Sequence, residues 1–233
     1  MEKIPHDLLI FGIFILFWTT GILIRYSIKT KGSKMKFFVN FLSAFRIATS
    51  FIIIGTFMSG LYLTTFILFL LAALSDFFDG YLARKYNVCT KLGGVMDHIG
   101  DKLLVVNTFI LLAIMMPVWF IVIPIIIMIS RELYISGLRE FLGTQKIEMP
   151  VPHARFSLGK IKTTMQMIAT ISFLGLFVLG AHVGGLANTK LLVYMIHALQ
   201  NIGLFSLWFA LAASIWSATQ YTQDFLKKLK KIK

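Results

Sequence analysis

A chain of 233 residues with 58% hydrophobic and only 14% charged side chains lacks the polar surface of a soluble domain, so its composition points to an integral membrane protein. Its 23 lysines and arginines outnumber 10 acidic residues, for a net charge of +13. They flank apolar runs and form no single patch with interleaved aromatics, which argues against nucleic acid and for anionic lipid head groups and phosphate-bearing substrates. Cys89 is the only cysteine, so no intrachain disulfide can form and the fold must rest on helix packing.

Residues 8–24 are uncharged and apolar, a little short of the ~20 residues of a typical spanning helix. Positive charge follows this run, whereas Lys3 is set against Glu2 and Asp7 before it, so it reads as a retained helix and not a cleaved signal. Arg25, Lys29, Lys31, Lys34 and Lys36 then make a basic loop, and a second apolar stretch covers 37–58. After a turn at Ser59-Gly60, residues 61–75 run apolar and deliver Asp76 and Asp79 to their far end, with the helix continuing into water through Arg84 and Lys85. Residues 87–92 connect to a return span over 93–115 that carries Asp97 and Asp101 near its start. Pro117 marks a tight turn, and 118–129 is a shorter span in which Pro124 predicts a kink before the helix runs on through 130–140. Residues 141–158 read as a loop, 163–180 as a span with Gln166 buried, and 180–188 as a glycine-rich connection. The last span, 191–216, precedes a lysine-rich tail.

The pattern predicts seven spans. Loops 25–36, 76–92 and 131–162 and the C-terminal tail hold nearly all the lysine and arginine, whereas the turns near 59, 116 and 185 hold only Lys190. That alternation places the N-terminus outside and the C-terminus and all four aspartates at the cytoplasmic face of the plasma (inner) membrane.

Asp76 and Asp79 are three residues apart and Asp97 and Asp101 four apart, so each pair projects from one helix face with Cβ atoms roughly 5–6 Å apart. Two such faces opposed make a four-carboxylate pocket. Gly80, Ala83 and Gly93 remove side-chain bulk beside it. Carboxylates so close repel one another, and a hard divalent cation relieves the repulsion; all-oxygen ligation favours Mg²⁺ or Mn²⁺ over Zn²⁺. The plainer reading has these aspartates capping helices or pairing with Arg84, Lys85 and Lys102, but capping needs neither two pairs at one-turn spacing nor small neighbours.

The pattern DxxDGxxAR, eight residues, GxxxDxxxD, spanning Asp76 to Asp101, resembles the signature of the CDP-alcohol phosphatidyltransferases at all eight specified positions. The resemblance implies an all-α, polytopic transmembrane helical bundle with a six-helix core over 37–222. Residues 1–36 then form an extra N-terminal helix and basic loop, and 223–233 a basic cytoplasmic tail. It also implies a membrane enzyme that moves the phosphatidyl group of a metal-bound CDP-linked lipid to an alcohol, releasing CMP. Two metal ions would be held by Asp76, Asp79 and Asp97, with Asp101 shared between metal binding and catalysis as general base. Asn40, Ser43, Gly80, Ala83, Arg84 and Gly93 would bind the CDP-lipid. The segment Asn40 to Arg46 is similar to the family's NxLTxxR opening, with serine at the threonine position; Arg46 is either part of this motif or a cation snorkelling to the interface. His98 stands where the family commonly has proline, which leaves the exact start of that helix open.

Residues 130–132, 136–140 and 159–166 resemble the corresponding stretches of the bacterial phosphatidylglycerophosphate synthases of this family. The substrates implied are CDP-diacylglycerol and glycerol 3-phosphate. A dianionic acceptor phosphate entering beside a diphosphate needs cations of its own, and Arg131, Arg139 and Lys160 suit that role. Glu132 and Glu140 are expected to pair with these arginines. Other acceptors (phosphatidylglycerol, serine, inositol phosphate, choline) are the rivals within the family. A cation transporter is the rival outside it, although transport favours carboxylates near the midplane instead of at one face. The sequence does not set the oligomeric state, and a homodimer is compatible with it.

Overall fold

Long apolar runs, punctuated by glycine, proline and charged loops, fold into six helices in a computed structural model that describes residues 34–86, 91–144, 158–182 and 190–229, with backbone alone at 34–37, 39, 76, 77, 79–84, 91, 92, 158, 160 and 182. In chain order they are α1 (Lys34–Met58), α2 (Tyr62–Lys85), α3 (Lys91–Met115), α4 (Trp119–Thr144), α5 (Leu158–His182) and α6 (Lys190–Leu229). No strand occurs among the described residues, so backbone N–H and C=O groups are satisfied within helices, as a lipid environment demands.

Asn40–Met58, Gly93–Met115, Trp119–Thr144, Ile161–Ala181 and Lys190–Leu229 are each long and apolar enough to cross a membrane, which makes this an all-α, multi-pass membrane protein. The apolar part of α2, Tyr62–Ser75, is shorter and rises only about 21 Å against a hydrocarbon core of about 30 Å. The expected first span, 8–24, lies outside the described residues.

The chain divides into two compact units. Of the described residues, 34–111 and 177–182 belong to the first, and 112–176 and 190–229 to the second. In the first unit α1 packs on α2. The turn between them is a Schellman motif. Gly60 takes φ 78°, which glycine adopts without strain, while Leu61 N–H bonds to Thr56 O at 3.0 Å and Gly60 N–H to Phe57 O at 2.9 Å. Below the turn the Thr56 and Thr65 hydroxyls are joined at 2.9 Å, and Phe57 sits edge-on to both Tyr62 and Phe177. On its other side α1 meets α3 through Ala44, Ile47 and Met96. The buried Ser50 and Thr108 hydroxyls bond to carbonyls a turn back, and Asn107 Nδ2 donates across to Ser50 O at 3.3 Å.

In the second unit α4 and α6 run parallel. Trp208 meets Phe120, Ser217 meets Arg131, Thr222 meets Tyr134 and Phe225 meets Phe141, so the two sequences advance together. The contact at Trp208 explains Pro124. Proline at 124 has no N–H to give the Phe120 carbonyl, and Trp208 Nε1 donates to that oxygen instead, at 3.1 Å. The helix is continuous through the proline. α5 joins α4 through Gln166, buried as expected, whose amide donates to Met128 Sδ at 3.5 Å. Its packing on α6 is close, since a Cβ at Gly203 would stand 3.2 Å from the Phe173 ring.

Several helix ends differ from expectation: α1 begins at Lys34, inside the segment read as a basic loop, and α5 at Leu158, ahead of the predicted 163. α3 begins at Lys91, two residues ahead of the predicted 93, and runs unbroken through an exposed His98. α4 continues to Thr144, into the segment read as loop. α6 spans 40 residues, roughly 60 Å, so the predicted 191–216 span continues as helix well beyond the hydrocarbon core.

Candidate functional site

α3 presents Asp97 and Asp101 one turn apart, within the first unit. Asp97 Oδ1 accepts a hydrogen bond from Arg46 Nη1 of α1 at 2.8 Å. Arg46 is 0% exposed, so it is no cation snorkelling to the interface. Burying a guanidinium is costly unless carboxylates meet it, which gives the pair a fixed geometry. Asp97 itself is 47% exposed and, among the described residues, takes only Arg46 as partner. Its second oxygen is therefore open to a ligand.

Gly100 makes this approach possible. A Cβ there would lie 3.3 Å from Ile47 Cγ1, 3.4 Å from the Ser43 carbonyl and 3.5 Å from Arg46 Cδ, so α1 passes α3 with no room for a larger residue. Asn40 and Ser43 are buried on α1 and Gly93 is buried on α3. Asp76, Asp79, Gly80, Ala83 and Arg84 lie on the last turns of α2, the helix that packs on α1 in the same unit. α1 thus contacts both aspartate-bearing helices. Among the described side chains no three ligating groups converge, and Asp97 and Asp101 are the two that α3 supplies. Carboxylate donors with one oxygen held by a buried arginine and the other open fit a hard divalent cation.

The second unit holds the other predicted cations. Arg131 Nη1 donates to Glu132 Oε1 at 2.9 Å and Nη2 to Ser217 Oγ at 3.0 Å. The same Glu132 oxygen pairs with Lys162, a buried residue that sequence reasoning passed over. One carboxylate thus faces two cations. The signal for Lys162 was present in the sequence: it lies four residues before Gln166, so an inward Gln166 carries Lys162 to the same face. Arg139 takes a different partner, stacking 5.3 Å over the Tyr221 ring with Nε 3.3 Å from its hydroxyl. It lies eight residues beyond Arg131, about 12 Å along α4. Lys160 is placed on the first turn of α5. Glu132 pairs with arginine as expected, whereas Glu140 is exposed and makes no ion pair among the described residues, having no cation opposite it.

Residues 37–216 match the CDP-alcohol phosphatidyltransferase family, and the chain belongs to it. Among curated relatives, a protein of Rickettsia bellii named CDP-diacylglycerol–glycerol-3-phosphate 3-phosphatidyltransferase is 43% identical over 145 residues, covering 61% of this chain and 75% of that one. Proteins of the same name from Rickettsia felis and Sodalis glossinidius are 38% and 33% identical over 155 residues, covering 66% of this chain and 75% and 74% of theirs.

Proposed function

We propose that this chain transfers the phosphatidyl group of CDP-diacylglycerol to glycerol 3-phosphate, giving phosphatidylglycerophosphate and CMP, at the cytoplasmic face of the plasma (inner) membrane. The observation that carries the choice of acceptor is the pair of cations, Arg131 and Lys162, that meets on the single Glu132, because an acceptor phosphate needs cations to receive it. The names of the relatives support the same acceptor.

Asp76, Asp79, Asp97 and Asp101 would hold two Mg²⁺ or Mn²⁺ ions. When bound, such ions neutralise the diphosphate and the charge developing on departing CMP. Arg46 fixes the rotamer of Asp97, so that its open oxygen is presented in one direction. Asn40, Ser43, Gly80, Ala83, Arg84 and Gly93 line the CDP portion. Asp101 takes the proton from the C1 hydroxyl of glycerol 3-phosphate as that oxygen bonds to the lipid-linked phosphorus and the bond from phosphorus to the CMP oxygen breaks. Arg131, Arg139 and Lys160, joined by Lys162, hold the acceptor phosphate away from the aspartates.

Saturation curves for both substrates at fixed ionic strength test this assignment. Arg139→Ala and Lys160→Ala should each raise the KM for glycerol 3-phosphate at least tenfold, about 1.4 kcal/mol, and leave that for CDP-diacylglycerol nearly unchanged. Arg84→Ala should do the reverse. Equal weakening of both substrates by Arg139→Ala would remove this residue from the acceptor site.

A further inference from the structure

Arg131 and Glu132 on α4 and Lys162 on α5 form a triad inside the second unit. Adjacent residues on a helix point about 100° apart and do not ordinarily face each other. Arg131 and Glu132 meet nonetheless, because each is also drawn to a neighbouring helix: Arg131 Nη2 donates to Ser217 of α6, and Glu132 accepts from Lys162. Both cations converge on one atom, Glu132 Oε1. All three side chains are largely buried, Lys162 most of all. Holding α4 to α5 does not require such a triad, since apolar side chains do so at lower cost than ions taken out of water. Nor is the network closed, as a purely structural one would be: Arg131 Nε is buried and has no acceptor among the described residues.

We propose that Glu132 is the positioning residue of the acceptor site: it touches no substrate, and it holds Arg131 and Lys162 together so that their remaining N–H groups meet one phosphate. This role presupposes that glycerol 3-phosphate is the acceptor. Two like charges on long, flexible side chains from different helices move apart unless an anion stands between them. With the carboxylate in place the two cations are gathered before the substrate arrives, and preorganisation of this kind appears as affinity. The donors suffice for both anions at once. An ammonium has three N–H groups and a guanidinium five; Glu132 takes one from each, and Ser217 one more from Arg131. Removing Glu132 does not simply strengthen the positive field, because a buried ammonium that loses its carboxylate swings out to water on its flexible stem. The phosphate must then gather the cations itself.

Steady-state kinetics of the full chain, with CDP-diacylglycerol and glycerol 3-phosphate varied in turn at fixed ionic strength, tests this role. Glu132→Gln should raise the KM for glycerol 3-phosphate about tenfold, with kcat and the KM for CDP-diacylglycerol nearly unchanged, and Glu132→Asp should recover part of the loss. Lys162→Met shows whether Glu132 acts through the lysine. Adding Glu132→Gln to Lys162→Met should raise the KM by about threefold or less, because half of what the carboxylate positions is already gone. The double variant replaces the ion pair by neutral groups, a change that buried pairs tolerate, so this comparison stands even if Glu132→Gln alone does not fold. A lowered KM for glycerol 3-phosphate in Glu132→Gln would overturn the proposal and make the carboxylate a competitor of the phosphate. Equal weakening of both substrates, or a further tenfold loss on adding Glu132→Gln to Lys162→Met, would overturn it and make Glu132 a tether between helices. These results leave the acceptor in place, whereas wild-type CMP release driven by another alcohol and not by glycerol 3-phosphate would remove the acceptor and this role together.

Discussion

Asp97→Ala should abolish CMP release and also lower stability, by less than the roughly 3–5 kcal/mol of breaking a fully buried ion pair because its carboxylate is half-exposed. The second effect follows from an asymmetry in the pair. Removing Asp97 takes a carboxylate from a guanidinium that has no access to water, whereas Arg46→Met leaves behind a carboxylate that is 47% exposed and can be hydrated. Arg46→Met should therefore be the milder change for stability. Its main effect should fall on the metal: freeing the Asp97 side chain should raise the Mg²⁺ concentration for half-maximal activity about 10–100-fold, the usual consequence of losing a group that orients a ligand. Thermal unfolding in detergent, with and without Mg²⁺, separates the two variants. If Arg46→Met matched the wild type in its metal titration, Arg46 would be a packing residue and not a positioning one.

Asp101→Asn should lower kcat by about 10²–10⁴-fold, the range for a general base, with a much smaller change in metal binding. The amide keeps one oxygen donor but cannot take the proton from the attacking hydroxyl. Binding of Mn²⁺ followed by electron paramagnetic resonance gives a readout independent of turnover. A variant that lost metal and rate in parallel would make Asp101 a ligand only, and the base would have to be sought elsewhere.

Much of this architecture is written in the sequence because a lipid environment restricts the choices. Apolar length sets the spans, Ser59-Gly60 sets the first hairpin turn, and four aspartates among apolar runs mark the site. What escaped depends on partners distant in sequence. Arg46 meets a residue 51 positions away, and nothing local separates a buried arginine from one reaching to the interface. The carbonyl that Pro124 leaves without a helical donor is met by Trp208, 84 residues on, a partner that no local pattern announces. Gly100 stood inside the aspartate motif without a role until α1 was seen to pass within contact distance of it. Lys162 escaped because only its four-residue spacing from Gln166 marks it as turning inward. The length of α6 was missed for another reason: hydropathy locates where a helix leaves the membrane, not where it stops.

The most direct test of the central claim is CMP release by the purified full chain supplied with CDP-diacylglycerol, Mg²⁺ and one alcohol at a time. Glycerol 3-phosphate should drive release and yield phosphatidylglycerophosphate, while serine, inositol phosphate, choline and phosphatidylglycerol leave the rate at background, and chelation of the metal should stop the reaction. Release driven equally well by one of the other alcohols, or unaffected by glycerol 3-phosphate, would contradict it.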